Sequence, residues 1–269
     1  MKLSTQMKKQ HQLDYFISTM GRGMWRHIYR GVFHNPDYDA NKDMAIAGPV
    51  MYHYSGYSGN AVMSRDRAWL DPEKFMAIYR WYHEADPTAL WIMDYFDEYK
   101  NCVYPTHMVY RSNYGVYVYR EKGLQYCFEE LVRNPESRRA CIVINDRTIM
   151  QSDAEVDKLC TNAINYYIDG VYLKCVVQMR SSNMAALLPY DAFMFAVFHA
   201  ELWQMLRKVY AWICPGDIVM QVANAHLTMK DLPVHDEFKV VIRDDEDLTK
   251  IATEVNRMYA DPCYVPLFK

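Results

Sequence analysis

The stretch from about Ala192 to Val209 constrains this chain more than any other. Phe193, Phe195, Val197, Phe198, Leu202, Met205 and Leu206 make it apolar around most of its circumference, and a helix of that kind must be enclosed by other elements. Enclosing it takes a sizeable core. The 269 residues, 51% hydrophobic and 23% charged, are enough to build one in a single large domain. The neighbouring segments indicate what does the enclosing. Val171, Leu173, Cys175, Val177 and Met179 alternate with Tyr172, Lys174, Val176 and Gln178, which is the period of a strand, and both of its faces read as largely covered. INYYID precedes it, joined through Asp169 and Gly170, a dipeptide suited to a tight hairpin. Pro215 and Gly216 end the connection that follows the helix, and IVMQVANAHL reads as another strand.

Earlier in the chain, Asp71 and Pro72 form a helix start, and Phe75, Ile78, Tyr79 and Tyr82 fall on one face at i, i+3, i+4 and i+7. Residues 124 to 132 also read as a helix, stopped by Asn134 and Pro135, after which Ala140 to Ile144 is a short apolar strand. Residues 1 to about 65 read as a peripheral cover, interrupted by Gly21, Gly23, Gly48, Gly56 and Gly59. With no internal repeat, low-complexity tract or linker, the expectation is one α+β domain over residues 1–269, a mixed sheet packed by helices.

A net charge of -3 gives no general field to attract nucleic acid, so any phosphate must be held by a few positioned arginines. The seven cysteines are scattered, without a CxxC pair, which points to free thiols and to no metal. No apolar run approaches the roughly 20 residues of a membrane span, and the opening MKLSTQMKKQHQLDYF lacks the apolar centre of a secretory signal. A soluble, cytoplasmic protein is expected, in the host cytoplasm if it is phage-encoded.

Taken singly, the polar residues of interest have ordinary explanations. Cys160 reads as a small buried hydrophobe, Arg138 and Arg139 as a solvated pair, Asp191 as a helix N-cap and His226 as a satisfied interior histidine. Their order changes the reading. NPESRR (Asn134 to Arg139), LCTN around Cys160, QMRSSN from Gln178 to Asn183, LLPYD ending at Asp191 and ANAHL around His226 resemble the thymidylate synthase family in order and spacing. SNYG, Ser112 to Gly115, resembles that family's active-site tyrosine segment. Within the superfamily the chain is most similar to the phage deoxycytidylate hydroxymethylases, which share SNYG, the NP[DE]SRR and CTN motifs and an aspartate at the position of Asp191.

The resemblance implies a dimer formed through the sheet and a nucleophilic thiol, Cys160, that adds to C6 of a pyrimidine nucleoside monophosphate. Arg180 and Ser181 would bind the phosphate together with Arg138 and Arg139 of the other subunit, and His226 would face the sugar. Asn162, Asn183 and Tyr114 would complete the polar network, and Asp191 would read the base. The implied one-carbon donor is 5,10-methylenetetrahydrofolate. Asparagine can donate to O4 of uracil and accept from its N3 hydrogen, whereas a carboxylate only accepts, so Asp191 points to cytosine. The chain departs from the family at Ile78, where a glutamate is usual, and at Asn183, Leu187 and Thr228. Hydroxymethylation of a cytidine monophosphate is therefore the leading expectation. Uridylate hydroxymethylation, C5 methylation and a non-catalytic nucleotide-binding homologue are the alternatives.

Overall fold

A computed structural model describes residues 44–55, 71–102, 111–152, 157–183, 186–228 and 246–260. Most of the segment read as a peripheral cover, residues 1–43 and 56–65, lies outside these. Five strands form one sheet: β1 (Met44–Ser55), β2 (Cys141–Val143), β3 (Thr161–Asp169), β4 (Tyr172–Asn183) and β5 (Cys214–Thr228), in the order β1-β5-β4-β3-β2. All neighbours are antiparallel except β4 and β5, which run parallel. A parallel pair cannot be closed by a tight turn. The chain returns through the apolar helix, α4 (Leu188–Arg207), preceded by α1 (Pro72–Glu84), α2 (Gly123–Arg133) and α3 (Arg147–Gln151) and followed by α5 (Glu246–Ala260).

α4 lies where its composition requires. Every residue from Leu188 to Ala200 is buried, and Tyr54 of β1 donates from its hydroxyl to the Ala192 carbonyl at 2.8 Å. His199 crosses from the helix to the sheet, with Nε2 2.8 Å from the Leu173 carbonyl and Nδ1 2.8 Å from the Tyr259 hydroxyl of α5. The carbonyl can only accept, so Nε2 carries the proton, while the Tyr259 hydroxyl lies between Nδ1 and the Ala196 carbonyl, 3.0 Å away. Burial pushes the His199 pKa down to about 4, which keeps the ring neutral. α1 begins as its sequence indicates, with Asp71 capping the Glu73 amide at 2.9 Å, and it buries Phe75, Ile78, Tyr79 and Tyr82. Gly115 is required by crowding against this helix: a Cβ there would lie 1.7 Å from the Tyr82 carbonyl oxygen. The π-helical turn Val116–Arg120 that follows is pinned through Tyr119, whose hydroxyl donates to Glu201 of α4 at 2.8 Å, beside His83 of α1.

Four expectations need correction. The region before residue 65 is not wholly peripheral, because β1 pairs with β5 and supplies Val50, Tyr52 and Tyr54 to the core. The β3–β4 turn falls one residue later than Asp169-Gly170; β3 runs through Asp169, and in the turn only Gly170 has a positive φ, 61°. Pro215 and Gly216 lie inside β5 rather than ending a connection; Gly216 sits so close to the Leu173 carbonyl that a Cβ would be 2.5 Å from it. Finally, among the described residues the second face of the sheet is only partly covered. Leu173, Cys175, Val177 and Met179 are buried, while Tyr167, Tyr172 and Gln178 are exposed on the other side.

Candidate active site

The segment Asp157–Thr161, ahead of β3, is held residue by residue from several directions. The Asp157 carboxylate accepts from the Ser112 amide at 2.7 Å and the Ser112 hydroxyl at 2.5 Å. Lys158 donates from Nζ to the carbonyls of Met150 and Ser152. Its own carbonyl accepts from Arg180 Nη2 at 2.6 Å, and the Leu159 carbonyl accepts from Arg180 Nε at 2.7 Å. The Arg180 amide reaches the Cys160 carbonyl at 2.8 Å. Thr161 donates its amide to the Tyr114 hydroxyl at 3.3 Å. Arg180 thus grips the Cys160 loop through two backbone carbonyls, and its charge falls on the thiol.

Two carboxylates and one guanidinium set the electrostatics of Cys160. Burial above all, together with the Asp191 and Asp157 charges, raises the thiol to about 11 against the lowering effect of Arg180. Burial also raises Asp191, to about 7. Asp191 lies in the first turn of α4, but it does not cap that helix. Leu187 occupies the N-cap position, and no described residue donates a hydrogen bond to the Asp191 carboxyl group. Tyr114 stands between these groups, enclosed, with its ring stacked on Phe195 of α4 at 6.4 Å and 5.4 Å from the ring of Tyr82. Burial, Asp191 and Cys160 together hold its hydroxyl well above the usual phenol pKa.

The ends of β4 and β5 bring the next set together. Parallel register places Ser181 beside Asn224 and Asn183 beside His226. The Ser181 hydroxyl lies 3.2 Å from both the Asn224 carbonyl and His226 Nδ1, and Asn224 donates to the Arg180 carbonyl at 3.1 Å. Asn183 is buried and turned toward its own loop, where its side-chain oxygen accepts from the Ala186 amide at 3.2 Å. Asn162 accepts from Asn145 at 3.1 Å. Ile78 is buried, Leu187 is partly buried, and the Thr228 side chain lies outside what is described.

Arg138 and Arg139 stand apart from this group. Both are exposed in the turn between α2 and β2, in a polar recess with Arg133, Asn134 and Glu136. The turn is shaped by Ser137, which donates to Glu130 at 2.6 Å and accepts from the Arg139 amide at 3.2 Å. Neither guanidinium is among the charges that act on Cys160 within the chain. Asp157, Ser112, Asn145 and Asn224 were not singled out from the sequence for these contacts. Asp157 stands in SDAEVDK, a polar run that reads as solvated surface, and no local signal separates it from its neighbours. Among the described residues, no group of three or more His, Cys, Asp or Glu side chains is placed to hold a metal ion, and no helix is long and apolar enough to cross a membrane.

The architecture is that of the thymidylate synthases. Thermostable thymidylate synthase A from Bacillus subtilis superposes with a TM-score of 0.56 at 11% identity, covering 85% of this chain and 81% of that one. No protein-family model matches the chain. In sequence, 119 residues are 40% identical to the deoxycytidylate 5-hydroxymethyltransferases of Enterobacteria phages T4, T2 and T6. The match takes in 41% of this chain and 44% of the relatives' length. The chain thus has the thymidylate synthase fold, and it resembles the deoxycytidylate 5-hydroxymethyltransferases over somewhat less than half of its length.

Proposed function

We propose that this protein transfers a one-carbon unit, at the hydroxymethyl level, to C5 of a (deoxy)cytidine 5′-monophosphate. The observation that carries this reading is the Asp191 carboxyl group, enclosed without a hydrogen-bond donor among the described residues and acting electrostatically on both Cys160 and Tyr114. The 4-amino group and N3 of cytosine would supply a partner for it. Near pH 7 it holds its proton about half the time, and that proton is available to the Asp191–N3 contact.

In the proposed reaction the Cys160 thiolate forms an S–C6 bond while the C5=C6 π pair moves onto C5 and toward N3. C5 is then a nucleophile that the aromatic base does not otherwise offer. Protonation at C5, loss of the original C5 hydrogen and expulsion of the thiolate return the aromatic ring and the free thiol. Tyr114 is placed to assist proton movement near C5. The proposed donor, 5,10-methylenetetrahydrofolate, supplies carbon at the aldehyde level when bound. Asn183 is turned to Ala186 and the neighbouring Leu187 is apolar, so the described residues do not by themselves build a folate site.

Arg180 and Ser181 would meet the 5′-phosphate, and His226 the sugar. With the thiol at about 11, Arg180 alone leaves the thiolate a small minority, so further positive charge is needed. Arg138 and Arg139 from a partner subunit would supply it, consistent with their distance from Cys160's electrostatics in one chain and with the open sheet face. Mixing Cys160→Ser subunits with Arg138→Ala subunits is then expected to restore part of the lost activity, because one hybrid site regains both wild-type parts. Failure to complement after proven subunit exchange would mean that each site is built within one chain.

The functional reading is tested by incubating the protein with cytidine and deoxycytidine monophosphates carrying tritium at C5. Release of tritium is expected, since it requires attack at C6 and loss of the C5 hydrogen. Ile78, buried and unable to move a proton, favours a second reading as a non-catalytic nucleotide-binding protein. Nucleotide binding without release from any pyrimidine monophosphate would select that one.

A further inference from the structure

Tyr114 reaches the Cys160 loop at Thr161, whose amide donates to its hydroxyl at 3.3 Å. A tyrosine ring held only by packing would slide by more than such a bond tolerates, so something must fix the backbone that carries it. Ser112, two residues earlier, is held twice by one carboxylate: the amide at 2.7 Å and the hydroxyl at 2.5 Å both end on Asp157. Asp157 is 1% exposed and lies three residues before Cys160. The same short loop therefore holds the thiol and the anchor of the tyrosine that faces it. Two hydrogen bonds to a charged acceptor in a dry site are stronger than neutral ones and tie the two segments together at a separation of 45 residues.

We propose that Asp157 is a positioning residue of this site: through Ser112 it sets where the Tyr114 hydroxyl lies relative to the loop of Cys160. This rests on the reading of Cys160 and Tyr114 as reacting groups, but the placement can be tested without catalysis. Burial keeps the Asp157 pKa above the ordinary carboxylate value, opposed by the bonds from Ser112, by a backbone hydrogen bond from Arg111 and by the Arg111 charge. The carboxylate's charge is thus committed to this junction rather than to solvent.

The reporter is the Thr161 amide, whose protection from hydrogen exchange depends on the Tyr114 hydroxyl. Asp157→Asn keeps the shape but turns one acceptor into a donor, and Ser112→Ala removes one of the two bonds. Each is expected to speed exchange at Thr161 about tenfold or more, while amides in the centre of β4, such as Val177, keep their rates. Tyr114→Phe should give the same increase, and adding Asp157→Asn to it should give no more. Unchanged exchange at Thr161 in Asp157→Asn, or increases that multiply in the double variant, would overturn the proposal. So would a uniform rise that includes Val177, since Asp157 would then serve only general stability. Release of C5 tritium measured on the same variants separates the two claims. Absence of release from the wild type counts against the proposed reaction alone, and the amide result still judges Asp157.

Discussion

Cys160→Ser is expected to bind deoxycytidine monophosphate as tightly as the wild type, within about twofold, and to release C5 tritium at least about a thousandfold more slowly. The size of the effect follows from the chemistry of the step. A serine hydroxyl is far less acidic than even the raised thiol, and nothing among the described residues stands ready to take its proton: Asp157 is engaged by Ser112 and Asp191 lies on the proposed base side. Binding should survive because the phosphate and base contacts fall on other side chains. Tritium release by the serine variant at the wild-type rate would remove Cys160 from the mechanism and leave the superfamily fold without its proposed nucleophile. Loss of both binding and release would mean that the substitution had disturbed the loop itself, which the Thr161 amide would report.

Asp191→Asn carries the second large effect. Asparagine has nearly the same volume but presents one donor and one acceptor where the ionised carboxylate presents only acceptors. Affinity for cytidine monophosphate is expected to fall by about 2 kcal/mol, roughly thirtyfold, while uridine monophosphate gains relative to it. Stability supplies an independent reading. The folded-state pKa of Asp191 is raised to about 7 from an ordinary value of 3.8, so the folded chain binds more protons between those values. Its stability accordingly falls as pH rises through that window and levels off above about 7. Asparagine does not titrate. The variant should therefore melt higher than the wild type at pH 8, by a margin of order a few kcal/mol in unfolding free energy, and the margin should close near pH 4. An unchanged base preference, measured as the ratio of the two dissociation constants, would leave the cytosine reading without its main support.

The sequence made the central elements legible for identifiable reasons. α4 announced itself by being apolar all round, β4 by strict alternation, and the start of α1 by Asp71 and Pro72; each is a local signal that tertiary packing reinforced. β1 did not. Its twelve residues contain Gly48 and Pro49, where the register with β5 shifts, and such breaks resemble loop punctuation when the partner strand is unknown. α5 was not called either, because its burial depends on contacts with α1 and α4 that no local pattern records. Within the site, the family resemblance singled out Cys160, Arg180, Asp191 and Tyr114, and in the structure Cys160 feels the charges of Arg180 and Asp191 while Tyr114 feels Asp191 and Cys160. It missed Asp157, whose partner Ser112 lies 45 residues away. Nor does any local pattern show that the Asn183 side-chain oxygen accepts from the Ala186 amide of its own loop.

The way the Cys160 loop is held has a consequence in time. Its fastenings come from Ser112 and Tyr114 on one side and Arg180 on the other, and Arg180 is steadied in turn by Asn224. Contacts so distant along the chain form late, after the loops between them have closed. The Arg180 clamp on the Lys158 and Leu159 carbonyls closes within the β3–β4 hairpin itself, whereas the hold on Asp157 and Thr161 waits for the segment that carries Ser112 and Tyr114. The loop is thus fastened first by a local contact and then by distant ones, so an early hairpin already carries half of its final shape.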